Sequence, residues 1–139
     1  MMHRVLISLA SNHEQEDNLC KARCQLAQVL SGAVYTEEIW TVPEGSIHRG
    51  PESTGATRPT YLNQLVSAET MLGADELVNV LKDVETALGR TAERRSMGIV
   101  PVDLDLLLHD NRRYHHRDWQ RSYVRRLLPD VEHAAKTPT

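Results

Sequence analysis

Val102-Asp103-Leu104-Asp105-Leu106-Leu107-Leu108 alternates leucine with acid before turning wholly apolar. Strand side chains leave the backbone on opposite faces with a period of two, so Asp103 and Asp105 share one face while Leu104, Leu106 and Leu108 share the other. The segment therefore reads as a strand over Val102 to His109, with leucines on a core and two carboxylates held outward. Same-face neighbours lie about 7 Å apart, near enough for two carboxylates to hold one hard cation or a pair of them. Mg²⁺ in such a site completes its shell with phosphate oxygens. A strand whose outer face is merely polar is the alternative.

Working outward, Gly73-Ala74-Asp75-Glu76 opens a helix whose Leu77, Val80, Leu81, Val84 and Leu88 form one stripe, with Gly89 after the last turn. Thr91 to Pro101 is expected to be a loop carrying Arg94, Arg95 and Gly98. Tyr61 to Thr70 predicts a strand with Leu62, Val66 and Ala68 on one face and Tyr61, Asn63 and Leu65 on the other. Before it, Val42 to Pro59 is rich in Gly, Pro, Ser and Thr, and loops this long either bind something or are disordered. A second strand is expected from about Val34 to Thr41, with Glu37-Glu38 breaking its burial pattern. Ser11 and Glu14 read as a capping box that starts a helix near Asn12; Leu19, Ala22, Leu26, Val29 and Leu30 form its stripe, and Ser31-Gly32 its stop.

Val5 to Ala10 is apolar but too short to span a membrane and has no cleavage pattern after it, so it is read as the first strand. The order is β-α-β-β-α-β, the ferredoxin-like split βαβ arrangement of the α+β class: an antiparallel sheet with helices packed on one face. Tyr123, Val124, Leu127 and Leu128 add a C-terminal helix, expected from near Asp118 to before Pro129. At 139 residues this makes a single domain.

A net charge of -3 gives no general reason to expect nucleic acid or an anionic membrane as partner. Charge is nonetheless uneven: Arg112, Arg113, Arg117, Arg121, Arg125 and Arg126 crowd one stretch, which points to a local anion site. Arg112, Arg113, Arg125 and Arg126 are expected to be solvated, since surface ion pairs contribute only about 0 to 1 kcal/mol. Cys20 and Cys24, four apart on one helix, suit two reduced, half-buried thiols and a cytoplasmic setting.

Several motifs occur together: Ala10-Ser11-Asn12, Tyr61-Leu62-Asn63, Glu85 with Gly89-Arg90, Asp103-Leu104-Asp105, and His115 followed by Arg121-Ser122-Tyr123. In order and spacing they resemble the 6-hydroxymethyl-7,8-dihydropterin pyrophosphokinase (HPPK) family, over about residues 4 to 110 and then the His115 to Tyr123 stretch. The resemblance implies a pyrophosphokinase that uses ATP and gives AMP, acting in folate biosynthesis as a monomer or weak dimer, with small molecules as its partners. It implies that Asp103 and Asp105 hold two Mg²⁺ ions and that Glu85, Arg90, His115 and Arg121 line the nucleotide side. Arg90 and Arg121 would act on the phosphates, Asn63 would read the pterin edge, and Thr41, Val42, Tyr61 and Tyr123 would border the ring. Residues 42–60 would then be a flexible substrate loop, 90–101 the nucleotide loop and 132–139 a disordered tail.

The chain departs from the family where a Trp-Gly-Pro-Arg run is usual, having Met97-Gly98-Ile99-Val100 instead, and Ala10 stands for a usual Gly. The lost Arg keeps open a second reading, a relative that binds pterin or nucleotide without turnover, with Arg94 or Arg95 as replacement cations. An RNA-binding split βαβ domain is the third; it fits poorly with a chain that has no Phe and puts two aspartates on its sheet face.

Overall fold

A computed structural model describes residues 1–42, 47–48 and 60–136, with residues 48 and 132–136 by their backbone alone. The expected substrate loop over 42–60 therefore lies largely outside the described residues, as do 137–139. The elements are β1 (His3–Ser11), α1 (Gln15–Leu26), β2 (Ser31–Tyr35), β3 (Ile39–Thr41), β4 (Ile47–His48), β5 (Tyr61–Thr70), α2 (Ala74–Ala87), α3 (Ala92–Ser96), β6 (Asp103–His109), β7 (Arg112–Arg113) and α4 (Ser122–Lys136). All strand pairs are antiparallel, in the order β4-β3-β5-β1-β6-β7, with β2 also paired to β5. No helix among the described residues is long and apolar enough to cross a membrane.

The α+β antiparallel fold is as expected, but its helices cover both faces of the sheet. On one face, Val5, Ile7, Leu9, Leu62, Val66 and Leu104 pack with the buried stripes of α1 and α2. On the other, Leu6, Leu65 and Leu107 pack with Tyr123, Val124, Leu127 and Val131 of α4. A strand buried on both sides loses its strict alternation. In β6 the change comes at an irregularity: Leu6 faces Leu108 while Ile7 faces Leu106, so Leu107 is an extra residue. Leu108, expected beside Leu104 and Leu106, instead packs on the α4 side.

Other local expectations give way to similar causes. The expected Val34 to Thr41 strand is two strands on the same partner, because four steps from Tyr35 to Ile39 match three from Val66 to Asn63. The bulge ejects Glu37 and Glu38 to solvent and turns Thr36 inward, where its hydroxyl accepts from the Leu65 N-H at 3.0 Å. Ser11 ends β1 and bonds with the His13 backbone instead of capping; α1 starts at Gln15 after Glu14, which has φ 43 and no side-chain cap. Ser31 and Gly32 belong to β2, and α1 stops earlier, at Leu26. Cys20 and Cys24 are exposed and unbridged.

The expected loop after α2 contains the short α3, capped by the Thr91 hydroxyl. Asp118–Gln120 form a separate 3-10 turn, and α4 runs through Pro129 to Lys136. Proline inside a helix costs about 3 kcal/mol, yet Val131 beyond it is fully buried, and sheet packing outweighs that penalty. Leu127, also fully buried, is the lever on this face. Leu127→Ala is expected to lower unfolding free energy by about 2–5 kcal/mol in urea titration, with α4 detaching first by hydrogen exchange.

Candidate active site

The start of β6 lies open where α4 no longer covers the sheet. Its register on β1, and that of β1 on β5, sets two rows across one face: Asp105, Ser8 and Leu65, then Asp103, Ala10 and Asn63. Tyr123 is buried over the first row and its phenol hydrogen-bonds Ser8; burial raises its pKa to about 12. The second row remains accessible at Asp103 and Ala10. Strands are spaced about 4.8 Å apart, so Asp103 and Asn63 stand about 10 Å apart with the Ala10 methyl between them. Ala10 has no positive φ, so an alanine fits there without backbone strain.

The cations come from the turn after α2. Gly89 adopts φ +102, and a Cβ there would meet the Arg94 guanidinium at 2.8 Å, so the turn requires glycine. The Arg90 N-H then donates back to the Glu85 carbonyl at 3.0 Å, which sets the two side chains together. Arg90 Nη1 donates to Glu85 Oε2 at 2.9 Å and to Asp103 Oδ1 at 2.8 Å. Glu85 Oε2 also accepts the Leu104 N-H at 2.7 Å, tying α2 to β6 between the two aspartates.

These groups border a cleft of about 550 Å³ that Arg90, Arg95, Asp105 and His115 also line. Three carboxylates, Glu85, Asp103 and Asp105, share it with Lys82, Arg90 and Arg95. Burial, with Asp103 and Asp105 adding to it against the Leu104 N-H and Arg90, raises Glu85 to about 7. Burial and then the charge of Asp103 raise Asp105 to about 6, with His115 opposing. Burial works against the Arg90 charge, but the hydrogen bond and charge of Asp103 outweigh it and hold Arg90 above its ordinary value.

His115 Nε2 lies 3.8 Å from Asp105, and its Nδ1 lies 4.0 Å from Asp118 Oδ2. Arg121 Nε donates to Asp118 Oδ1 at 2.8 Å. Thus Glu85, Arg90, Asp103, Asp105 and His115 come together directly, and Arg121 joins them through Asp118. Asp118 was invisible as a site residue because it reads as a helix start; its three-residue spacing from both His115 and Arg121 was the available signal. Asn63 and Thr41 form a second group, the Asn63 amide donating to Thr41 Oγ1 at 2.9 Å and to the Ile39 carbonyl at 3.0 Å. Tyr61 shares their edge and Val42 is half-buried beside it.

Asn12 has a different task. Its amide donates to the Gly98 carbonyl at 2.8 Å and accepts the Val100 N-H at 2.6 Å, clamping the loop that feeds β6 onto the end of β1. Of the two candidate replacement cations, Arg94 turns back toward Gly89, whereas Arg95 borders the cleft. Arg112, Arg113, Arg125 and Arg126 are exposed, Arg112 and Arg113 lying over Tyr114 and Trp119.

The chain is similar to known proteins along most of its length. A folate synthesis bifunctional protein, mitochondrial, of Arabidopsis thaliana is 31% identical over 137 residues, covering 93% of this chain and 23% of its own. One from Pisum sativum is 37% identical over 82 residues, covering 53% of this chain and 16% of its own. The chain thus spans less than a quarter of these plant relatives. A 2-amino-4-hydroxy-6-hydroxymethyldihydropteridine pyrophosphokinase of Porphyromonas gingivalis is 27% identical over 139 residues, covering 91% of this chain and 89% of its own. Residues 6–133 match the family described as 7,8-dihydro-6-hydroxymethylpterin-pyrophosphokinase, a span that takes in both carboxylates, the Gly89-Arg90 turn, His115 and Arg121, and the chain belongs to that HPPK family.

Proposed function

We propose that this chain is an ATP-dependent diphosphotransferase that moves a pyrophosphoryl group from ATP to 6-hydroxymethyl-7,8-dihydropterin and releases AMP, a step of folate synthesis. The observation that carries this reading is the convergence of Asp103, Asp105 and Arg90 on one cleft in a member of this family. The donor set fits Mg²⁺: two carboxylates on one strand face, with Glu85 and Asp105 both pushed up by burial and then by the neighbouring acids. Asp103 and Asp105 would hold the ions, which supply charge neutralisation on the phosphates and alignment of the attacking and leaving oxygens.

The chain's own residues then position and stabilise. Arg90, Arg95, Arg121 and His115 face the polyphosphate, with Arg90 and Arg121 offering planar, permanently charged donors. Glu85 holds Arg90 at the right angle. The pterin lies over Ala10, between Asp103 and Asn63, where about 10 Å accommodates a bicyclic ring with its hydroxymethyl arm toward the acids. Asn63 and Thr41 read the ring edge, with Tyr61, Val42 and Tyr123 at its borders. In-line attack of the hydroxymethyl oxygen on the β-phosphorus forms one P-O bond and breaks the one to AMP, so orientation and electrostatics carry the catalysis. With this reading go small-molecule partners, a cytoplasmic setting and a monomer or weak dimer.

A second reading, binding without turnover, is favoured by Met97 and Val100 at loop positions where a Trp and an Arg are usual. AMP release from Mg-ATP and the hydroxymethyl dihydropterin separates the two: stoichiometric AMP supports transfer, whereas calorimetric binding of both ligands with no AMP at high enzyme establishes the second. Asp103→Asn and Asp105→Asn are expected to lower kcat by at least about 100-fold while leaving the thermal midpoint near the parent's. Arg95→Ala is expected to raise KM for Mg-ATP; an unchanged KM would remove Arg95 from the site.

Glu85 carries a pH prediction. Its folded pKa of about 7 lies above its ordinary 4.5, so between those values the folded chain binds more protons than the unfolded one. Without ligands its contribution to stability is therefore full below the lower value and lost as pH rises through the upper. Glu85→Gln is expected to flatten that fall between about pH 5 and 8 in urea titrations, and to lower kcat by loosening Arg90.

A further inference from the structure

We infer that His3, His109 and Asp110 form a binding site for one divalent transition metal ion of the zinc class, at the end of the sheet remote from the cleft. One donor atom from each residue lies within 4.8 Å of the other two. His109 pairs with Val5 on β1 and Asp103 with Ala10, so five steps along β1, about 17 Å of strand, separate this cluster from the acidic one.

The hydrogen bonds around His109 and Asp110 aim their free lone pairs inward. His109 Nε2 lies 3.0 Å from the Leu72 carbonyl, which can only accept, so that nitrogen carries the proton. In the neutral ring Nδ1 then holds a bare lone pair, 3.9 Å from Asp110 Oδ2. A backbone carbonyl that fixes the far nitrogen of an imidazole is the usual outer support of a metal-ligating histidine. Asp110 is fixed in the same way, its Oδ1 accepting the Arg4 N-H at 3.0 Å and leaving Oδ2 to the two rings.

His3 Nδ1 reaches that same Oδ2 at 2.7 Å, and the two rings lie 4.5 Å apart between centroids. One carboxylate oxygen thus faces two imidazole nitrogens, and the His3 Nδ1 proton is donated to Oδ2. A cation between them displaces that proton, leaving the His3 ring protonated at Nε2, and takes all three lone pairs. The Arg4 guanidinium does not compete for the place, since it pairs with Glu69 at 3.8 Å. Two nitrogens and one oxygen suit zinc and its neighbours and disfavour Mg²⁺, which prefers oxygen alone. Tetrahedral zinc needs donor atoms about 3.3 Å apart, within reach of a small rotation of the partly exposed His3 ring. Bound there, the ion ties the start of β1 to the end of β6.

The test uses the full chain with excess Mg²⁺ present to occupy Asp103 and Asp105. Zn²⁺ calorimetry is expected to show one equivalent bound, Zn²⁺ to raise the thermal midpoint by several degrees, and Co²⁺ to give the visible bands of a four-coordinate ion. Asp110→Asn keeps an acceptor for the Arg4 N-H and suits the φ of 54, so it folds. In Asp110→Asn and in His109→Gln, affinity is expected to fall at least about tenfold and the midpoint rise to vanish. Equal Zn²⁺ affinity in parent and variants would place the ion elsewhere and overturn the site. No midpoint rise and no Co²⁺ band in the parent would reduce the cluster to a hydrogen-bonded network.

Discussion

The register of β6 on β1 is the constraint on which both fold and cleft depend. With Asp103 opposite Ala10 and Asp105 opposite Ser8, the acids share a face with Asn63, while Leu104 and Leu106 face α1 and α2. A slip of one residue would turn both carboxylates into that apolar layer and two leucines out toward water. Burying two unpaired charges costs several kcal/mol each, so the slipped pairing is strongly excluded. The same pairing must also suit α4, which needs apolar residues on the acids' own face. The extra residue at Leu107 reconciles these demands, because β6 is polar outward at its start and apolar on both faces near its end.

The cleft holds three carboxylates that the fold partly buries. Arg90 pairs with Glu85 and Asp103, and burial, with the charge of neighbouring acids adding to it, raises Glu85 and Asp105. Residues chosen for stability would replace one acid with a neutral side chain. In the proposed function magnesium would bring further positive charge to these carboxylates, so the unliganded chain would give up stability for affinity. Glu85 stands between these roles. It accepts a backbone N-H of β6 and steers Arg90, so one carboxylate both fixes α2 to the sheet and aims the cation.

How much of this was legible in the sequence follows from the range of each interaction. The aspartate pair could be read because strand alternation is local and needs no partner, and the Gly89-Arg90 turn because a positive φ selects glycine. Leu108 was assigned to the wrong face because a bulge arises from pairing with another strand. Glu37-Glu38 looked like a flaw in one strand for the same reason. Ser11 satisfied a capping pattern that β1 overrides, and Pro129 a stop signal that burial of Val131 overrides. In each case a tertiary contact outweighed a local preference of about 1 to 3 kcal/mol. The second covered face of the sheet was hidden because no periodicity says which side a terminal helix will choose.

β1 carries a different chemistry at each end, and hydrogen bonding explains how one strand can do so. Near Ala10 its face is left open beside oxygen donors, a hard and hydrated setting suited to magnesium and phosphate. Near His3 it meets two imidazoles and a single carboxylate whose other oxygen is taken by a backbone group, a softer setting. The central β5-β1-β6 ladder between them is largely apolar and carries no charge before Asp105, so neither set of charges screens the other. A cation at the histidine end would therefore act on the cleft through strand register, by holding β1 and β6 in the pairing that keeps Asp103 and Asp105 out of the core.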